Sequence, residues 1–345
     1  MKVSVIAAGS WGTALSLVLH ENGHDVCVWA RRQEHVNEIL ATRQNKKYLK
    51  QVHIPESISF TSQLKVACEN AEIIVLSVPT QQMKSLLEKM KNETRLDENV
   101  ILVNVAKGID IDSLALPSQM VGDVYPHNPY VALSGPSHAE EVAEKLPTAL
   151  VAASKLRIHA ELIQDIFSND YMRLYTSPDV IGVEISGALK NIIALGAGIS
   201  DGLGYGDNAK AALITRGINE MVLLGQLIGA STATFRGLAG VGDLIVTCTS
   251  RHSRNRRCGF LIGEGLSFEA AKEKIGMVVE GAYTIKAAYR LMQQKKIDMP
   301  ITTELYRVLY EDKNAREAVN HLMTRRKKHE IDESAEKLEL WFEGE

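Results

Sequence analysis

The chain has 345 residues, of which 45% are hydrophobic and 23% are charged, and its formal net charge is −3. This composition is typical of a globular protein with sizeable cores, the length favours two domains, and the small net charge gives no reason to expect a nucleic-acid partner. The four cysteines form no C-x-x-C pair, so we expect a reduced compartment and neither a disulfide framework nor structural zinc. With no basic and apolar leader and no apolar run long enough to span a bilayer, the sequence predicts a cytoplasmic protein without stable membrane insertion.

The first segment to carry chemistry is a short apolar strand that enters a glycine turn and then a helix. Its pattern is A-x-G-x-x-G, with Ala7, Gly9 and Gly12 at the fixed positions. Free N–H groups and the positive dipole end at such a helix start suit a dinucleotide pyrophosphate. Gly9 would let the backbone approach the phosphates, and Gly12 would let the helix pack closely on the strand. Ala7 stands where glycine is usual, so the turn must accommodate a methyl group.

A plain glycine turn would show the same pattern, but the context favours a nucleotide site. A second apolar strand, residues 25–30, follows the helix and completes the βαβ unit that the motif requires. Arg31 and Arg32 stand at the end of this strand, where an acidic residue would select NAD and an arginine would accommodate a 2′-phosphate. The pair therefore favours NADPH, or use of both cofactors, over strict NAD. A solvated surface is the alternative interpretation.

Further apolar strands alternate with helical stretches along the first half of the chain. A polar helical stretch to about Lys50 is followed by strands predicted at residues 72–79, 100–105, 130–133 and 149–153. This alternation predicts an α/β fold with a parallel, doubly wound Rossmann-type sheet, whose ligands gather at the carboxyl ends of the strands. We predict a NAD(P)-binding domain over residues 1–175.

Beyond about Tyr175 the pattern becomes helical. Ser177 is predicted as an N-cap and Pro178 as the first helical residue of a helix that is apolar nearly all round and hence buried. More helices are predicted at residues 207–229, 258–264, 267–275, 281–295 and 302–310. We therefore predict an all-helical substrate-binding domain over residues 176–330 and a charged C-terminal tail over residues 331–345.

Lys190 lies in the middle of the predicted buried helix. A lysine is almost never fully buried without a partner, and Gly187, Ala188 and Ala194 leave space beside its amine. Desolvation lowers a lysine pKa toward neutrality, as a general acid or base requires. The alternative is a packed stem whose ammonium pairs with a carboxylate such as that of Glu184.

Other candidate residues follow the predicted strands. Lys107 would point into the same crevice, and the turn that contains Gly135 and Ser137 could position ligand oxygens, unless it is an ordinary Gly-Pro connector. His138 is best explained as a polar residue at a helix start. Asp243 comes after three glycines and could hold an amine or a substrate hydroxyl, or be a simple turn aspartate.

A basic segment follows in the helical region. It contains Ser253, Arg254 and Asn255 at a predicted helix start, with Arg251 and Arg256 close by. Guanidinium, hydroxyl, amide and backbone N–H groups together make an anion site, although a basic loop is also typical of a solvated surface.

Together these motifs resemble the bacterial type of NAD(P)-dependent glycerol-3-phosphate dehydrogenase. The matching segments are residues 8–14, 29–32, 106–108, 133–139, 187–191, 240–244, 253–255 and 279–281. The resemblance implies an enzyme that interconverts dihydroxyacetone phosphate and sn-glycerol 3-phosphate with NADP or NAD, for phospholipid synthesis. The chain departs from the family at Ala7, where glycine is usual.

The resemblance also implies roles for individual residues. Lys190 would donate and accept the proton, Lys107 would stabilise the alkoxide, Asp243 would complete the catalytic set, and no metal is needed. Around the substrate it implies Lys107, Gly135, Ser137, Lys190, Asp243, Ser253, Arg254 and Asn255. At the cofactor it implies Ser10, Trp11, Arg31, Arg32, Lys107, Ala139, Arg254, Val278 and Glu280, beside Gly9 and Gly12 of the glycine turn.

Two alternatives and one question stay open at this point. A dehydrogenase of the same build could act on a hydroxy acid or on phosphogluconate, and whether Arg254 binds a carboxylate or a phosphate would test this alternative. A non-catalytic nicotinamide-binding sensor is a second alternative, which Lys190 and Lys107 disfavour. The sequence does not decide whether the chain forms a homodimer.

Overall fold

The computed structural model describes residues 1–327, so the predicted tail over residues 331–345 lies outside the described residues. An α/β domain at the N-terminus is followed by a helical domain. The strands are β1 Lys2–Ile6, β2 Asp25–Trp29, β3 Gln44–Asn45, β4 Leu49–His53, β5 Ser59–Thr61, β6 Ile73–Leu76, β7 Ile101–Asn104, β8 Tyr130–Ser134, β9 Thr148–Ala153 and β10 Met172–Ser177.

Eight of these strands form one sheet in the order β10-β9-β8-β7-β6-β1-β2-β5. β1 lies between β2 and β6 and is parallel to both, so the carboxyl ends of these three strands meet at one edge. β8 and β9 pair antiparallel, and the predicted sheet is therefore mixed rather than wholly parallel. The chain order reverses across β1, and a ligand cleft is expected at such a switch point.

Helices cover both faces of the sheet because its strands are apolar on both sides. In β1, Val3 and Val5 join one core, and Ile6 joins the core on the opposite face. The helices of this domain are α1 Ser10–Glu21, α2 Gln33–Thr42, α3 Leu64–Cys68, α4 Thr80–Glu93, α5 Pro117–Val124, α6 Ala139–Ala143 and α7 Arg157–Phe167.

The helical domain is built around one long buried helix. Its α-helices are α8 Val180–Gly202, α9 Asp207–Leu227, α10 Thr232–Phe235, α11 Asp243–Thr249, α12 Arg254–Gly263, α13 Phe268–Ile275, α14 Glu280–Lys295, α15 Pro300–Tyr310 and α16 Ala315–Thr324. By length and composition α8 could cross a membrane, but 94% of its most apolar stretch is buried inside the protein. It is the core helix against which α9, α11, α12 and α14 pack.

Several local predictions are corrected by the structure. The predicted helix to about Lys50 ends at Thr42, and the antiparallel hairpin of β3 and β4 follows it. Strands β5 and β10 were not predicted, and β10 continues past Tyr175 to Ser177. The N-cap of α8 is Asp179 rather than Ser177, because the Asp179 carboxylate accepts a hydrogen bond from the Gly182 N–H at 2.8 Å. Pro178 therefore precedes the helix.

Candidate active site

A cavity of about 1160 Å³ lies between the two domains, at the carboxyl ends of β1, β2 and β6. We call its lining residues between 7 and 140 the sheet wall, and those between 190 and 283 the helical wall. The predicted site residues that line it are Gly9, Ser10, Trp11, Arg31, Arg32, Lys107, Ser137, Ala139, Lys190, Asp243, Ser253, Arg254, Asn255, Val278 and Glu280. Gly12 and Gly135 lie behind this lining.

Gly12 and Gly9 have different surroundings in the turn between β1 and α1. A Cβ atom at Gly12 would overlap the carbonyl oxygen of Ala7, so this position lets the helix sit directly on the strand end. Nothing lies within 4 Å of a Cβ built at Gly9, which faces the open cavity. Ala7 adopts φ +105°, a conformation that side-chain-bearing residues rarely take. The turn thus keeps a glycine-like backbone although it contains an alanine.

The hairpin that the sequence did not reveal holds this turn in place. From it, the Asn45 amide donates to the Ala8 carbonyl oxygen at 3.0 Å and to Thr13 Oγ1 at 2.8 Å. The Ser10 hydroxyl donates to the carbonyl oxygen of Tyr48 at 2.8 Å. These contacts fix the first turn of α1 with its N–H groups directed at the cavity. Asn45 is fully buried, and a buried polar residue in an otherwise polar stretch leaves no periodic signal in the sequence.

At the domain boundary, Asp243 holds two lysines. One carboxylate oxygen lies 2.6 Å from Lys190 Nζ, and the other lies 2.7 Å from Lys107 Nζ. Lys190 also donates to Thr247 Oγ1 at 2.5 Å, and Lys107 donates to the Gly135 carbonyl oxygen at 2.9 Å. Asp243 and Lys190 are 1% and 5% exposed, so water screens their interaction only weakly. The cluster joins β7, β8, α8 and α11.

The electrostatics of this cluster favour a lysine that changes charge near neutral pH. Burial lowers the pKa of Lys190 to about 8, with the Lys107 charge acting in the same direction and Asp243 opposing both. Asp243 keeps a pKa below its usual value despite burial, because Lys107 and Lys190 stabilise its negative charge. The arrangement therefore holds a permanent anion beside an amine that gives up its proton easily.

The sequence of α8 explains how Lys190 can be buried. Gly187 on the preceding turn packs against the Ser134 hydroxyl and the stem of Lys107, where a larger side chain would not fit. The Lys190 ammonium does pair with a carboxylate, as the alternative interpretation expected, but that carboxylate belongs to Asp243 and not to Glu184. The Glu184 carboxylate instead accepts from Ser118 and from the Tyr130 hydroxyl and so ties α8 to the N-terminal domain.

Asp243 is aimed by an unusual helix start. A π-helical turn, Leu238–Gly242, leads directly into α11, of which Asp243 is the first residue. Such turns occur often at functional sites. Thr247 follows four residues later on the same helix face and contacts Lys190. Thr247 was not predicted as a site residue, although its i, i+4 spacing from Asp243 is a signal that the sequence contains.

The basic segment forms the N-terminus of α12. Ser253 is its N-cap and accepts from the Arg256 N–H at 3.2 Å. The Arg254 guanidinium forms no hydrogen bond or ion pair with a residue among the described 1–327, whereas the Arg256 guanidinium is bound to Asp201 at 2.6 and 2.9 Å. Of these two arginines, Arg254 is therefore the one that lines the cavity, with the N–H groups of its guanidinium available to a ligand.

Asn255 is engaged on both sides of its amide. It donates to Asn191 Oδ1 at 2.8 Å and accepts from the Gly281 N–H at 2.9 Å. Asn191 in turn donates to the Lys107 carbonyl oxygen at 3.3 Å. Asn191 was not predicted as a site residue. Through these hydrogen bonds it connects α8 and the segment of Lys107 to Asn255 and the start of α14.

Glu280 and His138 also line the cavity, and the pKa of each is shifted by burial. Glu280 accepts from the Thr80 N–H at 3.2 Å, its second oxygen is buried without a partner, and burial raises its pKa to about 7. His138 stands just before α6, as predicted, but it also lines the cavity, where burial and the Lys190 charge lower its pKa. Its Nε2 atom is buried without a partner. Among residues 1–327 no group of three metal-binding side chains occurs.

Comparison with known families agrees with this architecture. The model described as NAD-dependent glycerol-3-phosphate dehydrogenase N-terminus matches residues 2–160, and the model of the C-terminus of the same family matches residues 179–320. The chain belongs to the NAD-dependent glycerol-3-phosphate dehydrogenase family. The N-terminal match ends within α7, and the C-terminal match begins just before α8.

Individual relatives cover nearly the whole chain. A glycerol-3-phosphate dehydrogenase [NAD(P)+] of Thermoanaerobacter sp. (strain X514) is 55% identical over 331 residues, 96% of this chain and 99% of the relative. The protein of that description from Bacillus subtilis (strain 168) is 50% identical over 335 residues, 96% of each chain. The crystal structure of glycerol-3-phosphate dehydrogenase from Coxiella burnetii matches with a TM-score of 0.90 and 38% identity, covering 94% of this chain and 99% of that one.

Proposed function

We propose that this chain is a glycerol-3-phosphate dehydrogenase that reduces dihydroxyacetone phosphate to sn-glycerol 3-phosphate with NAD(P)H. The observation that carries the proposal is the cluster of Lys190, Asp243 and Lys107, which faces one cavity together with the free guanidinium of Arg254. Reduction of this substrate requires a general acid that works near neutral pH and a binding site for its phosphate group.

The sheet wall fits a nicotinamide dinucleotide. The start of α1 has an open space in front of Gly9, where pyrophosphate oxygens could accept from the backbone N–H groups of Ser10 and Trp11. Arg31 and Arg32 would hold the adenosine ribose and its 2′-phosphate, which supports NADPH as a cofactor beside NADH. Ala139, Val278 and Glu280 would meet the remainder of the dinucleotide. When bound, the reduced cofactor supplies the hydride that converts the ketone to an alcohol.

Lys190 would supply the proton. Its ammonium, held between Asp243 and Thr247, would donate to the ketone oxygen as negative charge develops there. Lys107 would stabilise the same oxygen, because it lines the same cavity as Lys190 and binds the second oxygen of the Asp243 carboxylate. In the oxidising direction, neutral Lys190 would accept the proton of the alcohol, and its lowered pKa makes that form accessible.

The start of α12 would bind the substrate phosphate. Arg254 can offer two parallel N–H groups, and the first N–H groups of the helix lie beside it. Ser253, Asn255, Ser137 and Gly135 would complete the surroundings of the substrate. Binding energy gained at the phosphate would orient the carbonyl at the distant lysines.

A direct assay tests the proposal. Purified protein should oxidise NADPH and NADH in the presence of dihydroxyacetone phosphate, measured by the absorbance of the reduced cofactor. Unphosphorylated dihydroxyacetone, 2-keto acids and the oxidation of phosphogluconate serve as comparisons and should give far lower kcat/KM. Turnover of a keto acid or of phosphogluconate, but not of dihydroxyacetone phosphate, would contradict the proposed substrate.

We also propose the setting in which the enzyme works. Its product would supply the glycerol phosphate backbone of phospholipids. The reduced buried cysteines and the burial of α8 support a cytoplasmic protein that does not insert into a membrane. A homodimer stays a proposal, which the molecular mass in solution would test.

A further inference from the structure

The end of β2 carries two cations without a counter-charge. Arg31 and Arg32 are exposed, line the cavity and form no ion pair within residues 1–327. Along the sheet wall the one lining carboxylate is Glu140 in α6. Glu140 belongs to α6, which follows β8, whereas Arg31 and Arg32 follow β2. The two guanidinium groups therefore remain available to an anionic ligand.

Helix α4 brings a third cation to this end of the cavity. Gln82, Ser85, Leu86 and Lys89 recur at helical spacing and line the wall as one stripe. Lys89 Nζ lies 5.6 Å from the ring centroid of Trp29, which is only two residues before Arg31. The Trp29 indole is itself fixed, since its N–H donates to the Ser62 carbonyl oxygen at 2.9 Å. The fixed aromatic ring thus places the ammonium at the end of β2, the strand that Arg31 and Arg32 follow.

The charge of Lys89 is available to a ligand. Its nearest carboxylate is Glu93 on the same helix, at 3.7 Å, and both side chains are 45% exposed. Such a pair is weak and does not neutralise the ammonium.

Leu86 offers the apolar surface that an adenine needs, and Lys89 lies one turn beyond it. We infer that Lys89 is a further specificity-determining residue, which recognises the 2′-phosphate of NADP(H) together with Arg31 and Arg32. This inference rests on the proposed function.

The inference is tested by measuring binding rather than turnover. Dissociation constants for NADPH, NADH, 2′,5′-ADP and 5′-AMP are determined by calorimetry for the parent and for Lys89→Met. We expect the variant to bind NADPH and 2′,5′-ADP about fivefold more weakly, the size of a half-exposed charge contact, with NADH and 5′-AMP unchanged. Lys89→Arg should restore most of the loss, and added salt should reduce the difference between the variants.

Lys91→Met is the matched control. Lys91 is exposed on the same helix and does not line the cavity. Its substitution therefore removes one positive charge from α4 without removing a contact to the cofactor. Equal weakening of NADPH and NADH in Lys89→Met, or an effect no larger than that of Lys91→Met, would overturn the inference. A parent protein that binds neither cofactor would instead contradict the proposed function.

Discussion

The charged side chains on the two walls of the cleft differ in burial and in pairing. On the helical wall, the Lys190 and Asp243 charges are buried and paired at 2.6 Å, with little of either side chain exposed to water. On the sheet wall, Arg31, Arg32 and Lys89 are exposed, and their cations face solvent with weak partners or none. Buried pairs are screened little and are costly to break, whereas exposed cations are screened by salt and cost little to remove.

This difference predicts where substitutions matter. A change on the helical wall leaves an uncompensated charge or removes a reacting group, so it should alter kcat and stability. A change on the sheet wall should alter KM for the cofactor and leave the fold intact. Lys107 is the exception, because it belongs to the sheet wall but binds Asp243 across the cleft. Its position indicates that the catalytic cluster assembles only when the two domains are docked.

The largest effect is expected for Lys190→Ala. The variant loses the proton donor and also the charge that stabilises the alkoxide, so kcat for dihydroxyacetone phosphate should fall by about 10²–10⁴ or more. NADPH binding, measured by calorimetry, should be retained because Lys190 is not part of the glycine turn. A near-normal kcat would rule out this role for Lys190.

Asp243→Asn should come next. Without the carboxylate, two ammonium groups face each other, and we expect the protein to lose about 3 kcal/mol of unfolding free energy at neutral pH and most of its activity. The pH profile gives a second readout. Reduction needs protonated Lys190, so in the parent its rate should fall as pH rises through about 8. Loss of the Asp243 charge lowers the Lys190 pKa further and should move this decline to lower pH.

Asp207→Asn provides the control for Asp243→Asn. Asp207 is fully exposed and pairs with Lys210 at 3.7 Å, so its loss should leave both stability and the pH profile unchanged. If Asp243→Asn kept the parent's pH profile while losing activity, the proposed coupling between Asp243 and Lys190 would be wrong.

The sequence predicted the sheet wall of the site more completely than the helical wall. The glycine turn, the βαβ unit and the residues after each strand were predictable, because parallel strands bring their carboxyl ends to one edge. Lys190 was predictable as a buried lysine. Its partner was not, since Asp243 lies 53 residues away and Glu184 is closer in sequence. Only the packing of α8 against α11 selects between these carboxylates.

The missed elements have a common physical reason. The hairpin of β3 and β4 is short and polar, and β5 has three residues, so neither shows a hydrophobic period. Their stability comes from tertiary contacts such as that of Asn45 with Ala8. Likewise the N-cap of α8 is decided by Asp179, whose second oxygen also accepts from the Ser231 N–H, a contact that spacing alone does not reveal.

A smaller effect is expected for Arg254→Lys. The variant keeps the charge but loses the bidentate fork, so kcat/KM for dihydroxyacetone phosphate should fall about tenfold. The low activity toward unphosphorylated dihydroxyacetone should stay the same, because that ketone has no phosphate to bind. Arg257→Lys, an exposed change on the same helix, should have no effect. Equal losses with both ketones would mean that Arg254 serves the cofactor or the fold.

The smallest effect is expected on the sheet wall, at Ala7. Its φ of +105° places a methyl group in a backbone region that glycine adopts freely. Relief of this strain by Ala7→Gly should exceed the added entropy of the unfolded chain. The free energy of unfolding should therefore rise by about 1 kcal/mol and the Tm by about 2 °C.

Ala8→Gly is the control. Ala8 is buried and is not among the residues with positive φ, so the same change there should destabilise the protein. Because the first turn of α1 is held by Asn45 and Tyr48 rather than by the Ala7 methyl group, KM for NADPH should change little. A Tm that falls in both variants would show that the strain at Ala7 is smaller than the entropy of an added glycine.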